Sequence, residues 1–580
     1  MGFLVFAAYV FCATPAPYPL DSAELATAAF GLGVAHPPGE ETTLLFAKLF
    51  TLLPLGSVAF KVALSQALAG SLAAVLVYRL VLDAAATIAI VTESTGEGTR
   101  VLIAAAAALA FAYAPGVVIV SNRPEVYATG TALALAALWL ALRAHAHDDA
   151  RPALVAALLI GLGVGNHSLV AGLVGLGAVA AALPLWLRSP TRGRFLGLAL
   201  VAFTMGLLVH AYIPLRTAAL FAAADRGIDN VLWGDGRTLG GLWWVVSART
   251  FAEKTGIVHG SASPWDLPYL PLEELTTVFA LIAPAGAYFL LRRSASRLAG
   301  VALLVGTAGS MLAALVGGLD PANPDIRGYL GPAFALLAVC SGLAIAVGTA
   351  LFRLRQMRVV LAVVFLAGAL SRFPSPAQYP GLRQAFAADG ETRQLLADLP
   401  MRAALFTYHF ETAFLVGYQR FVEGGRPDVA WAHLAFAPNP SYAARVRAAE
   451  PELAPVIDVY RSHGDLAKAW SVLDARHRVR LEPDPVTMPK VMSRMRPAGQ
   501  LWALARGEPT AEAWPPLGSA ALAEAAHDRQ VRAYLAWRRY LDAAFACQQG
   551  FRDRAHTRFA ELEKLVPDDE RLRELRQRCE

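Results

Sequence analysis

The sequence predicts a mainly helical membrane protein: a polytopic transmembrane bundle followed by a soluble C-terminal region, first α/β and then helical. Three observations carry this. Of 580 residues, 56% are hydrophobic and only 17% charged, where soluble domains carry about a quarter charged. Mean hydropathy is +0.45. Apolar runs of about 20 residues recur, each able to cross roughly 30 Å of hydrocarbon, and they stop near residue 372.

The full spans fall at 58–82, 101–120, 126–143, 153–166, 168–187, 195–215, 275–291, 297–317, 329–351 and 357–372. Phe3 to Ala13 is apolar but short. A signal peptide is one reading, but the stretch lacks a basic n-region, and a first membrane helix is preferred, making eleven spans. Thr42 to Leu53 is too short to cross and reads as a helix along the membrane surface. The glycines of GLGVG (161–165) have no preceding strand and no following acidic residue, so they read as helix-packing positions rather than a nucleotide loop.

Orientation follows from charge. The short connections RSPTRGR (188–194), RRSASR (292–297) and RLRQMR (353–358) are rich in Arg and, with eleven spans, share one side, which the positive-inside rule makes cytoplasmic. The opposite side receives Asp21, Glu24, the Ser121–Glu125 turn, Asn166-His167, the 216–274 loop, the Asp320–Arg327 turn and everything after 372. The division is therefore 1–372 membrane domain, with an outer loop at about 15–57, then 373–519 α/β and 520–580 helical. In the α/β part, 401–434 reads as strand–helix–strand. The stretch Arg554 to Pro567 resembles the second helix of a tetratricopeptide repeat.

Composition also excludes. The net charge is +6 and almost all the basic residues are Arg, and no basic–aromatic interleaving suggests nucleic acid. The four cysteines lack metal-type spacing. Cys547 and Cys579 could pair in an oxidising compartment, although the sequence favours two free thiols.

Candidate chemistry gathers at the outer side. Asp21 and Glu24 share a helix face; they read either as a capping box or as site carboxylates at a membrane boundary, and the two roles are compatible. His36, in His-Pro-Pro-Gly, either anchors its loop or hydrogen-bonds a phosphate or sugar hydroxyl. Arg123 and Glu125 form a local ion pair or an outward substrate contact. Asn166 and His167 end a span on this side, as does Arg216; Asp325, Arg327 and Tyr329 precede another. Arginines on the outer side run against positive-inside statistics, so an anion such as a polyprenyl phosphate would explain them.

DSAELATAAFGLGVAHPPG (21–39) and KLFTLLPLGSVAFKVALSQALAG (48–70) resemble the opening of the protein O-mannosyltransferase-like family of membrane proteins, part of the GT-C glycosyltransferases. NRPEVYA (122–128), YIPLR (212–216), WGD (233–235), WWVVS (243–247), NPDIRGYLGPA (323–333) and the 405–429 block match in the expected order. Two places depart from the family pattern: Glu40-Glu41 stands where Tyr-Pro is expected, and Tyr408-His409-Phe410-Glu411 replaces an Asp-rich block. The resemblance implies a GT-C-like bundle in a bacterial inner membrane, with its active site on the periplasmic side. It implies transfer of a sugar, mannose among the options, from a polyprenyl-phosphate donor to an acceptor hydroxyl of a protein or glycan, with inversion. Asp21 is then the base and Glu24 its orienting group or a cation ligand. His36, Arg123, Glu125, His167, Arg216, Asp325, Arg327 and Tyr329 bind substrate, the three arginines as phosphate-clamp candidates. The resemblance fixes no cofactor and allows a divalent cation. Membrane lipid is the other partner, and nucleic acid is not one. A flippase for a lipid-linked saccharide, or a scaffold without activity, would also use outer polar residues.

Overall fold

The computed structural model describes the chain except residues 224–229, 252–262, 322, 374–379, 465, 484–493, 505–513 and 580. Parts of the 216–274 loop and of the 373–519 region therefore lie outside the described residues.

A helix stands at each of the eleven expected span positions. α1 is Gly2–Cys12, α2 Ser22–Gly31, α3 Glu41–Thr51 and α4 Val58–Ala85. After the short α5 (Ala89–Ser94) come α6 (Glu97–Ala112), α7 (Pro115–Ser121), α8 (Tyr127–His147), α9 (Ala150–Val164) and α10 (Ser168–Arg188). The next are α11 (Arg192–Leu207), α12 (Tyr212–Ala222), α13 (Leu239–Val246), α14 (Leu270–Glu274) and α15 (Thr277–Arg292). The last of the bundle are α16 (Arg297–Val316), α17 (Pro324–Tyr329), α18 (Gly331–Ala350) and α19 (Arg355–Leu370). Among the described residues six helices, or eight if two bent pairs count as single spans, are long and apolar enough to cross a membrane. The protein is an integral membrane protein.

Local chemistry sets the ends and bends. Ser57 caps α4, its Oγ accepting from the Phe60 N–H at 3.0 Å, an arrangement that satisfies one of the orphan donors of a helix start. Pro115 at the first turn of α7 separates it from α6, and the two axes meet at 69°, since proline tolerates a helix start but not an interior. The GLGVG glycines pack helices: a Cβ on Gly161 would lie 2.3 Å from the Phe203 carbonyl, and one on Gly206 2.4 Å from that of Leu158. α9 and α11 touch backbone to backbone there.

Beyond the bundle, β1 (Ala404–Thr407), β2 (Ala430–His433), β3 (Val479–Leu481), β4 (Met495–Ala498) and β5 (Leu501–Leu504) form one sheet in the order β2-β1-β3-β5-β4. The helix Phe410–Phe421 crosses between the parallel pair β1 and β2, as the strand–helix–strand pattern requires. β5 runs antiparallel to both β3 and β4. Helices Arg529–Gln548 and Arg552–Leu565 follow, with Glu570–Cys579 last. Cys579 is bonded to Cys547, so the expectation of two free thiols is corrected: the final helix folds back onto Arg529–Gln548 and brings the sulfurs together.

Two large apolar cores, with smaller clusters beside them, form among the described residues. One fills the bundle. The other runs from α2 and α3 through the sheet to the C-terminal helices, joining Ala23, Leu25 and Leu44 to Phe406, Tyr418 and Phe559. α2 thus packs inside the soluble core although it begins in the membrane half. Its N-terminus lies on the seam.

Candidate active site

The seam is built around α2. Its C-terminal carbonyls are capped by side chains: Arg216 donates to the carbonyls of Leu32 (2.7 Å) and Gly31 (3.2 Å), and Asn230 donates to that of Gly31 at 3.1 Å. Tyr212 donates to the Gly33 carbonyl at 2.7 Å. The chain leaves α2 through Leu32, whose φ is +51°, and Val34 pairs with Leu232 in a short parallel bridge. These contacts return the loop toward the start of α2. Its turn includes a cis Pro37–Pro38 bond and Gly39, whose φ of +105° suits glycine.

His36 comes back over the first turn of α2. Its backbone N–H and its Nδ1 both lie 2.8 Å from Glu24, one to each carboxylate oxygen. Its Nε2 lies 3.3 Å from Glu40 Oε1 and 3.8 Å from Asp21 Oδ2. Asp21 takes the N-cap position but makes no side-chain cap bond, and Glu24 binds His36 instead of the cap backbone. The capping-box reading is therefore corrected; the local pattern is outweighed by a loop that brings a better donor. Exposure separates the carboxylates: Asp21's side chain is 38% exposed and Glu24's 0%. Asp21 is the open group and Glu24 the buried one.

Burial alone would lower the His36 pKa, but the carboxylates of Glu40, Glu24 and Asp21 outweigh it and raise it well above the ordinary value. Burial pushes the Glu40 carboxyl up, against the pull of His36. Ligand atoms of Asp21, Glu24 and His36 all lie within 4.8 Å of one another, a grouping able to hold a metal ion.

The other expected residues divide. Arg123 is fully buried between Glu125 (2.9 Å) and Asp325 (2.8 Å), beneath the ring of Tyr18. The local ion pair of the sequence reading is present, with a second carboxylate added from α17. Ser22 Oγ donates to the Pro124 carbonyl at 3.0 Å, which joins this turn to α2. His167 and Tyr329 lie together, ring centres 4.7 Å apart, with Tyr127 against both; His167 Nδ1 is buried without a hydrogen-bond partner among the described residues. Arg327 is held by Glu274 at 2.7 Å and by the Pro321 carbonyl at 3.0 Å. The clamp expectation is corrected for Arg216 and Arg327, whose guanidinium groups are engaged by carboxylates or carbonyls, whereas Arg123 is held through Nη2 and its Nε and Nη1 are buried without a hydrogen-bond partner among the described residues. Arg216 caps a helix, Arg327 ties α14 to α17, and Arg123 is buried beside Glu125 and Asp325.

Two site residues escaped the reading as candidates. Glu40, at one of the departures from the family pattern, is 2% exposed and faces His36. Its neighbour Glu41 lies 3.4 Å from His210 Nδ1. Glu411, at the other departure, reaches in from the soluble region, and its Oε1 accepts from the Leu20 N–H at 2.8 Å. Burial, with Asp21 and Asp325 adding to it, pushes its carboxyl up to about 7. No local spacing links residue 411 to residue 21; the only signal was the departure itself.

Two kinds of likeness to known proteins bear on the chain. Residues 21–188 match the sequence model of the protein O-mannosyl-transferase TMEM260 N-terminal domain. Protein O-mannosyl-transferase TMEM260 of Mus musculus is 54% identical over 59 residues, 10% of this chain and 8% of that protein; the match thus spans a small fraction of that relative. The crystal structure of ArnT from Cupriavidus metallidurans bound to undecaprenyl phosphate superposes with a TM-score of 0.55 at 14% identity, covering 89% of this chain and 98% of that one. Its apo state gives 0.56 at 14% identity, over 88% and 97%. At that identity the likeness concerns the fold. Residues 21–188 thus resemble the N-terminal domain of a protein O-mannosyl-transferase, and the chain as a whole has a fold like that of ArnT.

Proposed function

We propose that the protein is a membrane glycosyltransferase that moves a sugar from a polyprenyl-phosphate donor to an acceptor hydroxyl outside the cytoplasm, with inversion. The observation that carries this reading is the pairing of an open Asp21 with a buried Glu24 and His36. The sequence match to an O-mannosyl-transferase domain supports a sugar as cargo, mannose first, and protein Ser or Thr as acceptor. The fold likeness to a protein bound to undecaprenyl phosphate supports the lipid.

A phosphate-linked sugar is already activated, so its departure calls for positive charge rather than a proton. The acceptor hydroxyl needs a base. Asp21 takes that proton as the hydroxyl oxygen bonds to the anomeric carbon and the bond to phosphate oxygen breaks, releasing polyprenyl phosphate. Glu24 fixes His36, and His36, held cationic by its carboxylates, places one positive charge beside Asp21. A divalent cation, if bound, would be held by Asp21, Glu24 and the neutral form of His36, and its charge would then stand in place of the imidazolium's. Tyr127, His167 and Tyr329 supply an aromatic wall suited to a sugar or acceptor side chain.

The Arg-rich connections lie at the ends of α10, α15, α16, α18 and α19 away from this site, which favours a periplasmic active site. The Cys547–Cys579 bond favours an oxidising compartment for the C-terminus. The test is direct. Purified protein supplied with radiolabelled polyprenyl-phosphate mannose and Ser/Thr peptides should yield labelled peptide, and other polyprenyl-phosphate sugars rank the donors. No transfer from any donor would sink the reading.

A further inference from the structure

We propose that a cavity at the arginine-rich end of the bundle binds the phosphodiester headgroup of an anionic phospholipid. The cavity, of about 350 Å³, opens between α4, α8 and α16 and is lined by Arg79, Asp83, Trp139, Arg143, His145 and His147 above walls of Leu, Ala and Val. It is remote from the active-site seam. Tyr127 and Arg143 are on the same helix, 16 positions apart, which is about 24 Å at 1.5 Å per residue.

The charges favour an anion. Asp83 is the one carboxylate lining the cavity, and it is engaged: Trp139 Nε1 donates to it at 2.9 Å, and Arg79 lies 4.0 Å away. Arg143 stacks on the Trp139 ring, 5.0 Å from its centre, and has no carboxylate within ion-pair distance among the described residues. Arg188 donates to His145 Nδ1 at 2.9 Å and adds a third guanidinium at the rim. Of the nearby acids beyond α8, Asp149 is used to cap α9 through the Arg151 N–H, and Asp148 lies past the helix end. An ammonium or choline group would find no unengaged carboxylate in the cavity, whereas a phosphate meets Arg143 and Arg79.

The walls favour a lipid over a soluble phosphate. Below the arginines the surface is apolar, and Trp139 sits one turn deeper than Arg143, the placement of an interfacial aromatic. Basic pockets between membrane helices of this kind suit anionic headgroups, whose acyl chains continue into the bilayer.

The test uses the full-length protein in neutral detergent. Phosphatidylglycerol should raise the melting temperature by roughly 3–6 °C; phosphatidylcholine with the same chains and inorganic phosphate should not. Arg143→Gln should lose most of that shift, Arg143→Lys should keep part of it, and Arg353→Gln, at the same end but outside the cavity, should keep it all. A second measurement needs no arginine variant. Phosphatidylglycerol brominated on its acyl chains should quench tryptophan fluorescence more than brominated phosphatidylcholine, and Trp139→Phe should remove the excess. Equal shifts or equal quenching by the two lipids, protection by inorganic phosphate alone, or a full shift in a folded Arg143→Gln protein would overturn the assignment.

Discussion

Glu24 holds His36 at two points, its carboxylate lying 2.8 Å from both the backbone N–H and Nδ1. A carboxylate buried at the start of α2 is thereby satisfied by the loop that follows α2, and the loop is fixed by the carboxylate. Removing the Glu24 carboxylate takes the acceptor from both the His36 backbone N–H and Nδ1, leaving the ring with Glu40 and Asp21 at Nε2 alone. Glu24→Ala should therefore lower stability by roughly 2–3 kcal/mol, the scale for losing hydrogen bonds to a charged group. Glu24→Gln, which can still accept from the backbone N–H, should lose less. Thermal unfolding of the two variants in detergent checks the order; equal stability of wild type and Glu24→Ala would refute it.

Glu411 gives a pH dependence. Its folded-state pKa of about 7 stands above the ordinary 4.5, so the folded state binds the proton more tightly than the unfolded one. Its stabilising contribution is complete below about pH 4.5 and is lost as pH rises toward 7. The neutral variant Glu411→Gln lacks that loss. Its stability relative to wild type should grow between about pH 5 and 7 and level off above, by up to about 3 kcal/mol at 1.4 kcal/mol per pKa step. A stability difference that stays flat across that range would contradict the burial of this carboxyl beside Asp21.

The membrane half can be probed at a glycine. A Cβ on Gly286 would lie 1.8 Å from the Cys340 carbonyl oxygen, where α15 and α18 meet backbone to backbone. Gly286→Ala should force the helices apart and cost roughly 1–3 kcal/mol. Gly348→Ala, with nothing within 4 Å of the added methyl, is the matched control. Comparable melting of the two variants would mean that the pair does not pack this closely.

The disulfide reports on both structure and compartment. In protein isolated without reductant, Cys547 and Cys579 should resist maleimide until a reductant is added. Cys547→Ser should loosen the last helix, with a cost on the scale of about 2–4 kcal/mol for a native disulfide. A reporter fused after residue 580 should read as outside. Immediate labelling of both thiols in protein from intact cells would argue for a reducing compartment and for the opposite topology.

The bundle was legible because hydrophobic run length is a strong signal: every expected span has its helix, and the glycines of GLGVG pack helices as their context required. The strand–helix–strand at 404–433 was legible for the same reason, since apolar β-forming runs flank an amphipathic helix. The site was legible in part. Asp21, Glu24 and His36 could be grouped as candidates because they crowd one loop, yet their spacing suggested a cap bond that the structure replaces with the Glu24–His36 contact. Arg216 and Arg327 looked free because their partners are distant in sequence: the Gly31 and Leu32 carbonyls for one, Glu274 for the other. Glu411 was invisible as a site residue, since 391 residues separate it from Leu20. Contacts of that range come from the shared core of α2 and the soluble region, which no local pattern encodes.

We propose Asp21 as the base, with Glu24 and His36 as its support. The most direct measurement is single-turnover transfer from a labelled polyprenyl-phosphate sugar by wild type and Asp21→Asn, with unfolding temperature measured on both. Asp21→Asn should lower the transfer rate roughly 10²–10⁴-fold, the usual worth of a positioned base, at an unchanged melting temperature. Full activity in a folded Asp21→Asn protein would contradict it.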